Sequence, residues 1–255
     1  MINDEQKLTQ SNVLEGMTSI SALLNAKEIN DRRITEVWVD NAKRKSKAAE
    51  IGFLVARSHA DGFSIRFVDA EQISANATGS SHGGIIAFCT PRTIPPLCAS
   101  AIRSNGFYVY LEGIEDPYNL GYTLRSLYVA GVSGVILPPR NWMSAAGVVA
   151  RSSAGASELL PLFTAEAGDV ADLFHAAGYR ILCAGIRDSV SVFEEEFRFP
   201  ILLVVGGEKR GISRALLDRA DANVRIDYAR PFRGSLPTAS AATVLAFELF
   251  RQNRS

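Results

Sequence analysis

The spacing of apolar and polar residues predicts the elements in the first part of the chain. Apolar residues recur at helical spacing over 13–26 and 47–59, which predicts two helices. Short runs rich in β-branched and aromatic residues predict strands over 35–39, 64–68 and 83–89. This part is therefore predicted to form a small α/β domain.

The later part of the chain alternates regularly between strand and helix patterns. The predicted strands are 107–111, 135–137, 158–163, 180–184, 201–205 and 223–226. The predicted helices are 119–130, 144–152, 169–177, 213–217 and 238–251. Strands that alternate with helices form parallel sheets covered by helices on both faces. The predicted fold class is therefore α/β with a parallel sheet.

A proline-rich segment separates the two parts. Three prolines fall between Thr90 and Pro96, where they interrupt both helix and strand. We therefore predict a flexible tail, a first domain, a linker and a second domain, with the bounds 1–11, 12–94, 95–105 and 106–255.

The composition of the 255-residue chain is that of an ordinary globular protein, with 47% hydrophobic and 21% charged residues. Lysine and arginine number 27, as do aspartate and glutamate, so the formal net charge is zero. A zero net charge excludes a protein that coats nucleic acid by bulk charge. Any nucleic-acid partner must therefore be recognised by a local patch.

The cysteines and the amino terminus indicate a cytoplasmic protein. Cys89, Cys98 and Cys183 lie near apolar residues and lack metal-ligand spacing, which predicts reduced, buried thiols and no metal site. The amino terminus lacks the apolar stretch of a signal peptide. No run of about 18 apolar residues occurs, so we expect no membrane association.

Three polar or glycine-rich segments of the second domain follow predicted strands, where open parallel sheets bind ligands. The first segment, 111–126, leads into a helix that Asp116 and Pro117 are expected to start. It carries Arg125 among apolar residues. Arg125 is either a site residue or a surface side chain that extends past apolar neighbours to solvent.

The other two segments also have two interpretations each. Segment 204–213 runs from a buried strand into glycines and charges, a pattern that admits a ligand near the backbone or forms a tight turn. Segment 226–242 joins an irregular loop to a helix that begins with small residues. It either admits a ligand or holds a plain helix cap at Ser235 or Thr238.

In this order and spacing, the three segments resemble the motifs of the SpoU (TrmH) family of RNA ribose methyltransferases. The first is similar to Asp-Pro-x-Asn-x-Gly-x-x-x-Arg, here Asp116, Pro117, Asn119, Gly121 and Arg125. The second is similar to Gly-x-Glu-x-x-Gly, here Gly206, Glu208 and Gly211. The third, Ser235 to Ala241, is similar to Ser-Leu-Asn-Val-Ser-Val-Ala. Residues 16–24 and 79–87 also resemble the family's N-terminal domain, so the resemblance covers nearly the whole chain.

The resemblance implies a SPOUT-type fold, in which a trefoil-knotted parallel-sheet domain forms a homodimer, preceded by an RNA substrate-binding domain over 12–94. It implies S-adenosylmethionine as methyl donor and a ribose 2′-hydroxyl of RNA as acceptor, in ribosomal RNA rather than transfer RNA. The implied catalytic residues are Arg125, Asn119, Glu208 and Ser235. The implied cofactor-binding residues are Gly206, Gly207, Gly211, Ile226, Leu236 and Thr238.

The resemblance also implies that Arg125 acts in the site of the other subunit. Arginine stays protonated in proteins, so we expect Arg125 to stabilise a developing alkoxide rather than to accept a proton. Asn119 and Glu208 would orient Arg125 or the ribose.

The third motif departs from the family pattern at two positions. Pro237 stands where the family has Asn, and Ala239 stands where it has Ser. Pro237 offers neither a side-chain amide nor a backbone N–H. The loop from Ile226 to Leu236 also has one residue more than the pattern. Three alternatives therefore stay open: a transfer-RNA methyltransferase, a methyltransferase-like RNA-binding protein with weakened catalysis, and a methyltransferase of a protein or small molecule.

RNA binding by a chain of zero net charge must depend on local basic groups. The candidates are Lys43, Arg44 and Lys45 in the first domain and Lys209, Arg210 and Arg233 beside the predicted site. The lysine-rich run is equally consistent with a solvated helix start.

Overall fold

The computed structural model describes residues 12–26, 28–140, 143–207 and 209–254. The chain forms two compact units. The first unit comprises 1–93 and 141–159, and the second comprises 94–140 and 160–255. The predicted tail over 1–11 lies outside the described residues.

The first unit contains a mixed four-stranded sheet with the order β1-β4-β2-β3. Its strands are β1 (Val13–Glu15), β2 (Ile34–Asp40), β3 (Ser64–Val68) and β4 (Ile85–Cys89). Its first helices are α1 (Gly16–Asn25), α2 (Ala48–Asp61) and α3 (Ala70–Asn76). β2 and β3 are parallel, whereas β4 runs antiparallel to both of its neighbours.

Alternation along β2 builds the core of this unit. Val37 and Val39 point to one face and are fully buried with Ile20 of α1 and Leu54 of α2. Removing such apolar side chains from water contributes about 1.5–3 kcal/mol for each one buried. The helical periodicity of α1 and α2 therefore places their apolar faces on this sheet.

The predicted helix over 13–26 was wrong in its first three residues. Val13–Glu15 forms β1, which pairs antiparallel with β4. Gly16 then adopts a φ of +76°, a left-handed conformation that favours glycine, and α1 begins there. The strand depends on a partner that is distant in sequence.

The second unit contains a seven-stranded sheet with the order β7-β6-β5-β10-β8-β11-β9. Its strands are β5 (Phe107–Leu111), β6 (Gly134–Leu137), β7 (Leu162–Thr164), β8 (Arg180–Ala184), β9 (Ser189–Ser191), β10 (Ile201–Val205) and β11 (Ala222–Arg225). The helices in this part of the chain are α4 (Pro117–Val129), α5 (Ala146–Ser152), α6 (Ala156–Leu159), α7 (Ala167–Ala176), α8 (Arg214–Leu217) and α9 (Thr238–Asn253). Every neighbouring pair of strands is parallel, which confirms the predicted α/β class.

Two local predictions in this part of the chain were wrong. Residues 158–163 were predicted as one strand, but they contain the end of α6 and the start of β7. β9 was not predicted, because its three residues include two serines and it pairs only with β11. In both places contacts that are distant in sequence decide the conformation.

Residues 141–159 join the first unit, although the predicted second domain ran without a break from 106 to 255. The physical reason is a set of buried polar contacts. Arg32 Nη1 lies 3.3 Å from Glu158 Oε1, and both side chains are almost completely buried. Asn30 Nδ2 donates to the Glu158 carbonyl oxygen at 2.9 Å, and the Arg92 guanidinium donates to the Ser157 carbonyl oxygen.

The central strands of the large sheet carry the site. All five residues of β5 and all five of β10 are buried, as expected for strands covered on both faces. β5 and β10 lie side by side in register, with Leu111 opposite Val205. The chain therefore leaves both strands at the same edge of the sheet, where the predicted motifs begin.

Candidate active site

The loops after β5 and β10 touch through their backbones. The Glu112 N–H donates to the Val205 carbonyl oxygen at 3.0 Å. A Cβ atom placed on Gly207 would lie 2.4 Å from the Gly113 carbonyl oxygen, so a side chain does not fit there. The first and second motifs are thus in direct contact, and glycine is required at the point where they meet.

The second motif forms a compact turn. The Gly211 N–H donates to the Gly207 carbonyl oxygen at 2.9 Å, and Gly211 has a φ of +66°. A Cβ atom on Gly206 would lie 2.3 Å from the Gly211 carbonyl carbon. The turn alone therefore accounts for Gly206, whereas a Cβ atom on Gly211 would meet open space. Glu208 lies outside the described residues.

The third motif is fixed to the second by one hydrogen bond. Thr238 is buried at the start of α9, and its Oγ1 donates to the Gly206 carbonyl oxygen at 3.1 Å. The helix cap is Pro237, which has no side-chain hydrogen bond, so of the two interpretations of this segment the plain cap at Ser235 or Thr238 is wrong. Ser235 is exposed, and Ile226 and Leu236 are half-buried.

The first motif starts α4 as predicted. The Asn119 N–H donates to Asp116 Oδ1 at 2.8 Å, and Pro117 occupies the first turn. Asn119 is half-buried and Arg125 is exposed. In the described part of the chain, the Arg125 side chain has no hydrogen-bond or ion-pair partner.

Arg125 lies on an apolar face of α4. Tyr122 and Val129, which are three residues before and four after it, are 53% and 61% exposed. α4 packs against α9, which carries the exposed Phe247 and Phe250. We call Tyr122, Val129, Phe247 and Phe250 the aromatic face; all four are large apolar side chains that remain exposed on these two packed helices.

The basic candidates are all exposed, but they differ in their partners. Lys209 Nζ lies 3.0 Å from Glu115 Oε2, and this hydrogen bond lowers the pKa of Glu115. Such a solvent-exposed ion pair contributes little to stability. Arg210 and Arg233 lie in the second unit with Lys209, whereas Lys43, Arg44 and Lys45 lie in the first.

Two residues of the site were missed by the sequence analysis. Glu112 Oε2 accepts a hydrogen bond from the Ser213 N–H at 2.8 Å, which ties the first loop to the end of the second. The Ser213 hydroxyl is buried and has no hydrogen-bond partner within the described ranges. The sequence held one signal for this contact: Glu112 is a carboxylate that directly follows a strand of apolar residues.

Burial and the Glu112 carboxylate also change the pKa values of two nearby side chains, Tyr110 and Cys183. Burial, followed by the charge of Glu112, raises the pKa of Tyr110 above its ordinary range. The same two causes raise the pKa of Cys183 to about 12. Both groups stay neutral near pH 7 and act as parts of the core.

The described residues hold no cluster of three or more His, Cys, Asp or Glu side chains suited to a metal ion. Within the same ranges, no helix combines the length and the apolar character that crossing a bilayer requires.

In a parallel α/β sheet, loops that converge at the carboxyl ends of the strands form the place where ligands bind. Residues 106–247 match the model of the SpoU rRNA methylase family, and residues 13–95 match the substrate-binding domain of RNA 2′-O ribose methyltransferases. The chain belongs to the SpoU rRNA methylase family. The family predicted from the three motifs is therefore confirmed.

Relatives of known identity match along almost the whole chain. The 23S rRNA (guanosine-2′-O-)-methyltransferase RlmB of Shewanella oneidensis is 27% identical over 97% of this chain and 100% of its own. An S-adenosylmethionine-bound rRNA methyltransferase from Sinorhizobium meliloti has a TM-score of 0.79 at 21% identity, over 99% of this chain and 95% of its own. The SpoU methyltransferase AviRb from Streptomyces viridochromogenes, in complex with its cofactor, has a TM-score of 0.76 at 21% identity, over 98% of both chains.

Proposed function

We propose that this protein transfers a methyl group from S-adenosylmethionine to a ribose 2′-hydroxyl of ribosomal RNA. The convergence of three family motifs at the carboxyl ends of β5, β10 and β11 carries this proposal. Ribosomal RNA is favoured because the family is one of rRNA methylases and because the Shewanella relative, which acts on 23S rRNA, matches both parts of the chain. The setting proposed for this reaction is the cytoplasm.

The loops have the properties that S-adenosylmethionine requires. Ile226 and Leu236 are half-buried, so each keeps apolar surface that an adenine ring could cover. Backbone groups of the turn would hold its polar edge, and the free Ser213 hydroxyl lies at the end of the same loop. When bound, the cofactor supplies a methyl group on a positively charged sulfur. Thr238 serves this site by fixing the turn.

Arg125 is the residue proposed to activate the ribose. Its guanidinium stays protonated and would donate hydrogen bonds to the 2′-oxygen as negative charge develops there. Asn119, six residues earlier on α4, would orient Arg125 or the ribose, and we assign the same task to Glu208. Ser235, exposed in the third motif, would line the ribose side of the site.

A homodimer completes the proposed site. An exposed apolar patch on a globular protein marks an interaction surface, and the aromatic face lies on two packed helices of the second unit. Pairing of two such faces would bring Arg125 of one subunit to the loops of the other. We propose the trefoil knot of the SPOUT fold for the same unit.

The departures of the third motif are compatible with activity. Pro237 removes an N–H and Ala239 removes a hydroxyl, but Thr238 keeps the bond that joins α9 to Gly206. Retention of Asn119 and Arg125 further argues against a protein that has lost catalysis.

Calorimetry with S-adenosylmethionine and transfer of labelled methyl groups to purified RNA test the proposal together. We expect cofactor binding and labelling of ribosomal RNA but not of transfer RNA. Labelling of transfer RNA alone would show that the substrate is transfer RNA and not ribosomal RNA. Cofactor binding without RNA labelling would contradict the proposed activity and favour the RNA-binding or other-substrate alternative.

A further inference from the structure

One end of the sheet in the first unit gathers two loops. β4 is antiparallel to β1 and β2, so the start of β4 lies beside the ends of the other two strands. The Asp40 N–H donates to the Gly84 carbonyl oxygen at 2.8 Å. A Cβ atom on Gly84 would lie 2.9 Å from Lys43 Cγ. The basic turn after β2 and the loop before β4 are therefore in contact.

The basic turn presents cations that have no carboxylate partner. Lys43 and Lys45 are exposed, and neither forms an ion pair in the described part of the chain. Arg44 is held in place, because its guanidinium carbon lies 3.7 Å from the centre of the Phe67 ring. A guanidinium over an aromatic face is attracted by the ring and keeps its outer edge free for a further partner.

The carboxylates at this end already have partners. Asp40 Oδ1 accepts from the Ala42 N–H at 2.9 Å, and Asp69 Oδ1 accepts from Asn41 Nδ2 at 3.2 Å. Glu50 is paired with Lys47 at 2.7 Å. Asp40 is buried and Glu50 is paired with a lysine, so the three exposed cations at 43–45 outnumber the exposed Asp69 carboxylate at this end.

His82 adds a hydrogen-bond donor beside these cations. The Gly84 N–H lies 3.0 Å from His82 Nδ1. A backbone N–H only donates, so Nδ1 is the acceptor and the ring hydrogen is on Nε2. No described residue accepts a hydrogen bond from this Nε2–H, although the ring is half-buried.

A buried carboxylate fixes the loop that carries His82. Glu15 Oε1 accepts from the Thr78 N–H at 2.6 Å and from the Gly79 N–H at 3.2 Å. Arg151 Nη1 lies 3.3 Å from Glu15 Oε2 and neutralises this carboxylate. Because the loop is already ordered, it loses little conformational freedom when it binds a ligand.

We propose that Lys43, Arg44, Lys45 and His82 form a binding site for the phosphodiester backbone of the substrate RNA. The groups offered are three cations and one N–H donor, and a phosphate offers acceptors and negative charge. Base edges present donors as well as acceptors, which matches this set less well. The choice of RNA as the ligand rests on the proposed function. The site itself lies at one end of the first-unit sheet.

Filter binding of labelled ribosomal RNA to the full-length protein at several salt concentrations tests the site. In the double variant Lys43→Ala/Lys45→Ala, we expect affinity to fall about tenfold and the slope of log affinity against log salt to fall by about 1–2. His82→Ala should weaken binding about fivefold with little change in slope. His59→Ala, which removes an exposed histidine of α2 in the same unit, is the matched control and should bind like the wild type.

Binding is measured without methyl transfer, so the two proposals fail separately. If the wild type binds RNA but transfers no methyl group, and the variants lose RNA affinity as expected, the proposed function is contradicted and the site is supported. Variants that bind RNA with unchanged affinity and slope, while calorimetry shows unchanged cofactor binding, overturn the site.

Discussion

The Thr238 hydroxyl donates a hydrogen bond to the Gly206 carbonyl oxygen at 3.1 Å. This bond connects the first residue of α9 to the first glycine of the turn after β10. The family motif assigns both residues to the cofactor site, and in this geometry Thr238 acts through the turn that it holds.

Thr238→Val should therefore weaken cofactor binding without unfolding the protein. The change keeps the shape of the side chain and removes one hydrogen bond of about 1 kcal/mol, which corresponds to roughly a fivefold rise in Kd. Thr238→Ser keeps the hydroxyl and serves as the control. Calorimetry with S-adenosylmethionine measures both, and equal affinity of the Val and Ser variants would show that the bond does not shape the site.

Tyr122→Glu should disrupt the proposed dimer. The substitution puts a charge at the centre of the aromatic face, where pairing of two subunits would bury it without a partner. We expect light scattering to give the mass of a monomer and methyl transfer to be lost. Ile186→Glu, at a 71% exposed position that belongs to neither α4 nor α9, should leave the mass unchanged. A dimeric Tyr122→Glu protein would place the interface elsewhere.

Glu158→Ala should destabilise the first unit strongly. Glu158 neutralises the fully buried Arg32, and removing one partner of a buried pair costs about 3–5 kcal/mol. The midpoint of urea unfolding, followed by circular dichroism, measures this loss. Glu50→Ala removes a partner from the half-exposed pair with Lys47 and should leave the midpoint almost unchanged. Similar midpoints for the two variants would mean that water reaches the Arg32 pair.

The three thiols should differ in reactivity toward a thiol reagent such as Ellman's reagent. Burial raises the pKa of Cys89 to about 12 and that of Cys183 to about 12. Cys98 is exposed, against the expectation of three buried thiols, and the Ser100 hydroxyl lowers its pKa. A raised pKa keeps a thiol protonated below that pH, so at pH 8 only Cys98 has an appreciable thiolate fraction.

We therefore expect one fast equivalent from the folded protein and three after unfolding. The fast rate should level off at a lower pH than that of an ordinary cysteine, and Cys98→Ser should abolish it. Two or more fast equivalents from the folded wild type would show that a second thiol is open to solvent.

Sequence-based prediction succeeded where neighbouring residues decide the conformation. β5 and β10 are short runs of apolar residues, and α4 begins at the cap provided by Asp116. Each of these signals is a property of residues that are close together in the chain. The three motifs could be placed at strand ends for the same reason, and the structure brings their loops together.

The errors fall where distant residues decide the outcome. β1 exists because β4 pairs with it, and the membership of residues 141–159 depends on Glu158 meeting Arg32 across more than a hundred positions. The link between Glu112 and Ser213 joins two loops that are far apart in sequence. Hydrophobic periodicity depends only on residues that are close together in the sequence, so it gives no information about such contacts.

Nucleoside analysis of ribosomal RNA incubated with the protein and labelled S-adenosylmethionine tests the central claim most directly. We predict that the label is recovered in a 2′-O-methylated nucleoside, and that Arg125→Ala, with unchanged cofactor binding, yields almost none. Label recovered on a base, or full transfer by Arg125→Ala, would contradict the account.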